Sequence, residues 1–273
     1  MKTWKPSTIT GVEKVYGTST SPIRVKTNAS YGVLKLPSGC GCTDRLICEY
    51  VGSSLAICLD VQVPEFALIR TDARFVEMMR SRDETLAEEA DGFISRYEEP
   101  LRYTPKSVED IKNKDFFTKI IFLDTWIRNK DRYATKTGER STRNTENIFL
   151  VENGQTKLPY TAKAIDHSEA FRLYDFAFNP EHFGEQAIYD STVFGRFPEF
   201  DTHLDWEVAC QLVDRLLHVD VSVIQSIFEQ IPKSWNLSVK TKKVFISFII
   251  KRAAFVAETL VKKLFPGKIT LFP

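Results

Sequence analysis

Long apolar runs are missing from this chain. The longest, Val244 to Ile250, is seven residues and is interrupted by Ser247, far short of the ~20 that a membrane-spanning helix needs. Met1 to Pro6 is polar and no apolar stretch follows, so no secretory leader is expected and the expected location is cytoplasmic. Net charge is also nearly absent. The 37 Lys and Arg balance 36 Asp and Glu, leaving +1, which removes the usual electrostatic reason to expect nucleic acid or an anionic membrane as partner. Cysteine is scarce: five residues, at 40, 42, 48, 58 and 210. An odd count excludes a fully paired disulfide set. Cys40, Cys42 and Cys48 lack the second ligand pair that a structural zinc site requires, so reduced thiols are expected. No internal repeat or low-complexity tract is present.

What the chain does have is a large apolar fraction, 43%, with 20 Phe among 273 residues. That composition predicts a globular protein with a substantial core. The front of the chain reads as strands at Ile9–Val15, Pro22–Thr27 and Tyr31–Leu36, a loop at 37–41, a helix from Thr43 to Leu59 with apolar residues at 47, 51, 55 and 58, and a strand over Val63–Arg70. Phe75–Arg82 suggests a helix and Glu84–Pro105 a charged, mostly irregular stretch. Val108–Trp126 has strong helical periodicity. Two strands, Asn144–Val151 and Lys157–Ile165, flank an Asn-Gly turn. A loop region over 172–200 precedes three helices, Leu204–Leu217, Val221–Ile231 and Val239–Phe265. In the last helix the cations from Lys242 to Lys263, Arg252 among them, are expected to form a solvated face. The expected class is α+β: a small β-rich lobe over 1–72 and a larger, mainly helical lobe over 73–273, with a cleft between them as the place for a ligand.

Asp124 to Phe171 carries the most chemical information. Asp131 lies in a polar stretch after the strong helix, where it either closes a turn or faces an acceptor hydroxyl as a base. Asn147 precedes an apolar strand and offers an amide oxygen, a hard ligand suited to Mg²⁺. Asn144, three residues earlier, competes for that role, and either Asn can instead cap the preceding loop. Asp166 closes the next strand, where a buried carboxylate is costly unless paired or metal-bound. Near the front, Lys35 shares a strand face with Val33, opposite Leu34 and Leu36. There it either reaches phosphates or is solvated. Glu49 in the following helix is a candidate partner for Lys35. A strand Lys, a helix Glu, then Asp, Asn and Asp is the order of parts that phosphoryl transfer from a nucleotide needs. His167-Ser168 has only a superficial likeness to a hydrolase dyad, because neighbours on a strand point to opposite faces.

The segments YGVLK (31–35), CEYVGSSLA (48–56), VQVPEFALI (61–69), DTWIRNKDR (124–132), NTENIFL (144–150) and AIDHSEAF (164–171) together resemble the HipA-like kinase family, especially its short stand-alone members. The resemblance implies a two-lobed protein-kinase-like fold related to the phosphatidylinositol kinases. It also implies ATP and Mg²⁺ as cofactors and a protein Ser or Thr hydroxyl as acceptor, the chain itself included. By position, Lys35 would contact ATP phosphates with Glu49 beside it, Asp131 would be catalytic, and Asn147 and Asp166 would hold metal. Family members are known as toxin–antitoxin kinases, which implies a protein substrate and an antitoxin-like partner. This chain departs from the family in an inserted polar segment, Tyr133–Arg143, between the catalytic Asp and the metal-binding Asn, and in having no evident glycine-rich phosphate loop. Those departures motivate a second expectation, a pseudokinase-like module that binds nucleotide or protein without transfer. A third is a lipid or small-molecule kinase of the same architecture.

Overall fold

The computed structural model describes residues 4–134, 142–154, 157–171, 178 and 183–268. The chain is an α+β protein made of two compact units. The first comprises Met1–Tyr50, Pro64–Glu99 and Ile231–Leu237; the second comprises Val51–Val63, Pro100–Gln230 and Ser238–Pro273.

The first unit is built on a five-stranded antiparallel sheet of β1 (Ile9–Val15), β2 (Ile23–Thr27), β3 (Tyr31–Lys35), β4 (Phe66–Arg70) and β5 (Asp91–Arg96), in the order β1-β2-β3-β5-β4. One face is closed by helix α3 (Ala73–Arg80), whose Phe75 and Met79 join Val12, Val25, Leu34, Ile69 and Ile94 in an apolar core. The two-residue alternation of a strand then sends Lys35 to the opposite face from Leu34. A single helical turn, α1 (Pro37–Cys40), stands where the sequence suggests a loop. It leads into α2 (Thr43–Cys58), whose first turns belong to this unit and carry Glu49. The segment 231–237 is held by Trp235, whose Nε1 donates to the Asp91 carbonyl at 2.9 Å.

The expectation of an irregular Glu84–Pro105 is corrected: β5 is an interior strand, paired with β3 through Leu34↔Ile94 and Lys35↔Phe93. Its signal is hidden because the strand is short and buried on both faces, so no polar residue alternates with Phe93 and Ile94. At Gly92 the backbone of the neighbouring strand comes so close that a Cβ would lie 2.9 Å from the Lys35 carbonyl oxygen, so the residue that looks like a loop marker is a packing requirement.

The second unit is organised around α4 (Phe116–Ile127), in which every residue except Lys119 is buried. A helix apolar on all sides belongs in the middle of a domain, and α8 (Val239–Leu264) and α6 (Trp206–Leu217) pack on it. A second sheet has the order β10-β9-β6, from β6 (Leu101–Arg102), β9 (Ile148–Glu152) and β10 (Tyr160–Ala164). A two-residue ladder joins β7 (Tyr133–Ala134) to β8 (Thr142–Arg143). Helix α4 begins eight residues later than its periodicity predicts. Residues 105–110 form a 3-10 turn behind a Thr104/Ser107 capping box, and residues 111–113 are claimed by β10: Lys112 donates to Tyr160 at 2.8 Å, and the Asn113 amide bonds both the N–H and the C=O of Ala162. Within the expected loop 172–200, residues 172–177 and 179–182 lie outside the described residues. The rest includes α5 (Glu185–Ile188) and a 3-10 turn at Pro198–His203. The short helix α7 (Val221–Glu229) completes the α-helices among the described residues. Among the described residues no helix is long and apolar enough to cross a membrane.

Arg252 overturns its place in the expected solvated face. Its side chain is fully buried and donates to the carbonyls of Thr125, Trp126, Ala187, Ile188 and Asp190. Those carbonyls belong to the last turn of α4 and to α5 and its exit, where backbone acceptors have no helical partner. The guanidinium supplies the missing donors in a planar fork. Arg252→Met should therefore lower unfolding stability by at least about 3 kcal/mol, since several buried acceptors lose their donor together. Urea denaturation checks this; a loss below about 0.5 kcal/mol, the size of an ordinary surface change, would return Arg252 to the solvated face.

Candidate active site

Two groups of predicted residues are assembled, one in each unit. In the first, Lys35 Nζ meets Glu49 Oε2 at 2.7 Å. Lys35 is 8% and Glu49 3% exposed, so neither is the solvated residue that strand lysines and helix glutamates commonly are. Removing both charges from water is expensive, and such pairs return little net stability. The pair holds an ammonium in a fixed place on the second face of the sheet.

The second group forms around α4's C-terminus. The helix ends because Arg128 adopts a left-handed conformation (φ 53°, ψ 46°), with its N–H bonded to the Asp124 carbonyl. The next residues are strung on Asp124. The Asn129 N–H donates to the same carbonyl at 2.8 Å, and its side-chain amide donates to Asp124 Oδ1 at 3.2 Å. Arg132 Nε donates to Asp124 Oδ2 at 2.8 Å, with both side chains completely buried. Arg132 also donates to the carbonyls of Asn147 and Ile165. The loop is thereby tied to the residue that precedes β9 and to the one that follows β10.

Asp131 sits inside this brace, half-buried. Its Oδ2 accepts from Asn147 Nδ2 at 2.7 Å and from Asn144 Nδ2 at 3.2 Å. The polar insertion does not separate these groups. Its base is closed by the Tyr133↔Arg143 and Ala134↔Thr142 pairs, and the Asn144 N–H donates to the Arg132 carbonyl at 2.9 Å. The chain therefore leaves and returns at one point; residues 135–141 of the insertion lie outside the described residues. Asn144 and Asn147 differ in the hydrogen bonds that their side chains make. Asn144 Oδ1 accepts from the Glu146 N–H and caps the 3-10 turn over 145–147. Asn147, 4% exposed, spends its amide N–H on Asp131.

Asp166 lies two residues beyond the end of β10 rather than on it, with φ 57°. The Ile165 N–H donates to the Asn147 carbonyl at 3.1 Å, which sets the backbone before Asp166 beside Asn147. Ser168 Oγ donates to Asp166 Oδ1 at 2.6 Å. His167 turns away to Ser53 Oγ, 3.3 Å from Nδ1, so His167 and Ser168 each have a different partner.

The bracing residues Asp124, Asn129 and Arg132 carry no role in the sequence reading. The available signal was Asp124, a lone carboxylate inside the apolar run of α4, because a buried carboxylate requires a partner. Gly195 is a further such residue: it adopts φ 73°, and a Cβ there would lie 2.5 Å from Asp124 Oδ2. Burial pushes the Asp124 carboxyl up to about 6, against the opposing pull of Arg132 and the hydrogen bonds.

A family model described as HipA-like kinase matches residues 28–265. No curated protein matches the chain. Among solved structures, the crystal structure of a Helicobacter pylori proinflammatory kinase, CtkA, superposes with a TM-score of 0.60 at 15% identity, covering 94% of this chain and 96% of that one. That likeness gives the fold, which is protein-kinase-like.

Because the folded-state value of Asp124 is raised, the stability linked to its protonation is complete below the unfolded value of about 4 and is lost as pH rises through about 6. Asp124→Asn removes that dependence and strands Arg132 without a counter-charge. The variant should be less stable than wild type by about 3–5 kcal/mol at neutral pH, and the deficit should widen at about pH 5. Urea titrations at both pH values read this out; a deficit that shrinks on acidification would contradict the raised value.

Proposed function

The chain belongs to the HipA-like kinase family, and we propose that it is a cytoplasmic enzyme transferring the γ-phosphoryl group of ATP, with Mg²⁺, to a Ser or Thr hydroxyl of a protein, its own chain included. The observation that carries this reading is the 2.7 Å contact between Asp131 and Asn147, made across an insertion that loops out from a closed base. The family departure most suggestive of a dead enzyme leaves the pair joined.

The donor set fits the metal. Asn147 directs its amide N–H at Asp131, which leaves its hard amide oxygen for a cation, and Asp166 adds a carboxylate. Asn144 has its oxygen engaged in a cap, so Asn147 is the better ligand. Among the described residues no three His, Cys, Asp or Glu side chains gather into a metal cluster. A site with so few protein ligands suits Mg²⁺, which keeps water and phosphate oxygens in its shell. When bound, the ion offsets the charge spread over the transferring phosphoryl group.

The chain's own residues do the rest. Asp131 accepts the hydrogen bond of the acceptor hydroxyl, orients it for in-line attack and takes its proton as the new bond to the γ-phosphorus forms and the bond from that phosphorus to the bridging oxygen breaks, ADP leaving. The two Asn amides on Oδ2 fix the rotation of that carboxylate. Lys35, held by Glu49, contacts phosphate oxygens of the nucleotide as a point charge.

Purified protein with γ-labelled ATP and Mg²⁺ should label itself or a protein in a lysate, read by mass spectrometry. Asp131→Asn should lose about 10²–10⁴-fold in rate while keeping the ATP-dependent rise in melting temperature that ligand binding confers. Lys35→Met should shrink that rise. A wild type stabilised by ATP and Mg²⁺ without transfer would be a nucleotide-binding module, label on a lipid or small molecule would reassign the acceptor, and no stabilisation at all would overturn the proposal.

A further inference from the structure

Arg128 stands three residues before Asp131 and violates two rules of stable structure. It is a non-glycine residue in the left-handed region, at φ 53°, where the side chain crowds the backbone. Its Nη1 is buried and has no hydrogen-bond partner among the described residues, which carries a desolvation cost. In exchange, Nε and Nη2 both donate to a single oxygen, Asp190 Oδ2, at 3.0 and 2.7 Å. Arg128 is buried and Asp190 only partly exposed, so the cost of taking both charges out of water offsets much of what the pair returns. Strain that stability does not explain, placed beside a catalytic residue, points to function.

The other end of the pair is equally fixed. The Thr192 N–H donates to Asp190 Oδ1 at 2.9 Å. Arg252 holds the carbonyls of Ala187, Ile188 and Asp190. Four residues later, the Phe194 N–H donates to Thr125 Oγ1 at 3.1 Å, and the Gly195 N–H donates to the Tyr133 carbonyl at 2.9 Å. The stretch 185–195, which follows Asp166 in the chain, is therefore tied to the last turn of α4 and to both ends of the loop bearing Asp131.

We infer that Arg128 and Asp190 are positioning residues for phosphoryl transfer, a built-in lock that sets the Asp131 loop in register with the segment downstream of Asp166. The inference rests on the kinase reading above. Kinases commonly order the segment after the metal-binding Asp by pairing an arginine with a phosphorylated side chain. Here the anion is a carboxylate of the chain itself, so the loop is set without modification. Neither residue touches the reacting atoms; both act through the placement of Asp131.

The test compares wild type, Arg128→Gly, Asp190→Asn, Asp190→Glu and the double variant Arg128→Gly/Asp190→Asn in the phosphoryl-transfer assay, with ATP-dependent thermal shift measured on each. Glycine suits the left-handed backbone at 128, so Arg128→Gly relieves strain while deleting the pair. Arg128→Gly and Asp190→Asn should each lower kcat by about tenfold to a hundredfold, the range expected when a reacting group is misplaced. KM for ATP and the thermal shift should stay at wild-type values. Asp190→Glu should recover part of the rate, and the double variant should be no slower than the singles, because both remove one interaction. Unchanged kcat in either single variant would overturn the lock. So would a loss of kcat that tracks a matching loss of nucleotide-binding protein, which is the mark of a purely structural role. A wild type that transfers phosphate beside variants that do so equally well refutes the lock alone; an inert wild type refutes the reading beneath it.

Discussion

One buried carboxylate organises the second unit. Asp124 takes its place in the middle of an apolar helix only because Arg132, eight residues later, returns to it. The consequence runs outward. To bring Arg132 back, the helix must stop at Ile127 and the chain must fold over its own end. Asn129 and Arg128 complete that turn by bonding the Asp124 carbonyl and carboxylate. Arg132 then has donors to spare, and they go to the carbonyls of Asn147 and Ile165. A single desolvated ion pair thus joins the helix, the Asp131 loop and the two strands that deliver Asn147 and Asp166. Such a pair is a poor source of stability, and Gly195 shows the structure giving up a side chain to make room for it. Its value lies in fixing where three polar side chains sit.

Much of this was legible in the residues. Lys35, Asp131, Asn147 and Asp166 stand out because charged and amide side chains at the ends of apolar elements require a reason, and Glu49 stands out as a partner for Lys35 in the helix that follows. The structure gives each a defined partner. The resemblance of short segments to one family is matched by a family model over most of the chain. The β-rich front and helical back also follow from periodicity alone. Periodicity failed where tertiary pairing outcompeted it: residues 108–115 carry a helical pattern, yet 111–113 pair with β10 because that strand needs a partner for its exposed ladder. β5 was hidden by being buried on both faces.

Three of the missed residues share a cause. Arg252, Arg128 and Arg132 are all arginines, a residue type that a sequence readily assigns to the surface. Each is buried here because a cluster of backbone carbonyls or a carboxylate from a distant element awaits its planar fork. Arg252 sits among cations at helical spacing, and nothing in that spacing distinguishes it from Lys251 or Lys262. Its carbonyl partners come from residues 125, 126, 187, 188 and 190, all contributed by chain folding. Pair interactions of that range are invisible to local pattern and become apparent only once the helices are packed.

The distribution of backbone strain sharpens the picture. Of the six non-glycine residues described with positive φ, Arg128, Asp166 and Phe171 fall within the stretch that carries the candidate chemistry. Left-handed conformations cost free energy at each such residue, and they persist only where surrounding contacts over-determine them. The contacts are present: Arg128 is capped onto Asp124 and paired with Asp190, the backbone before Asp166 is bonded to Asn147, and the Phe171 N–H donates to the Ile127 carbonyl at 2.7 Å. The last bond returns the segment after Asp166 to the end of the same helix from which the Asp131 loop departs. Helix α4 is therefore the common reference for both halves of the candidate site, and every one of its residues except Lys119 is buried. A helix that must hold two strained segments in fixed register cannot be allowed to rock, and packing on every side is how a protein prevents it.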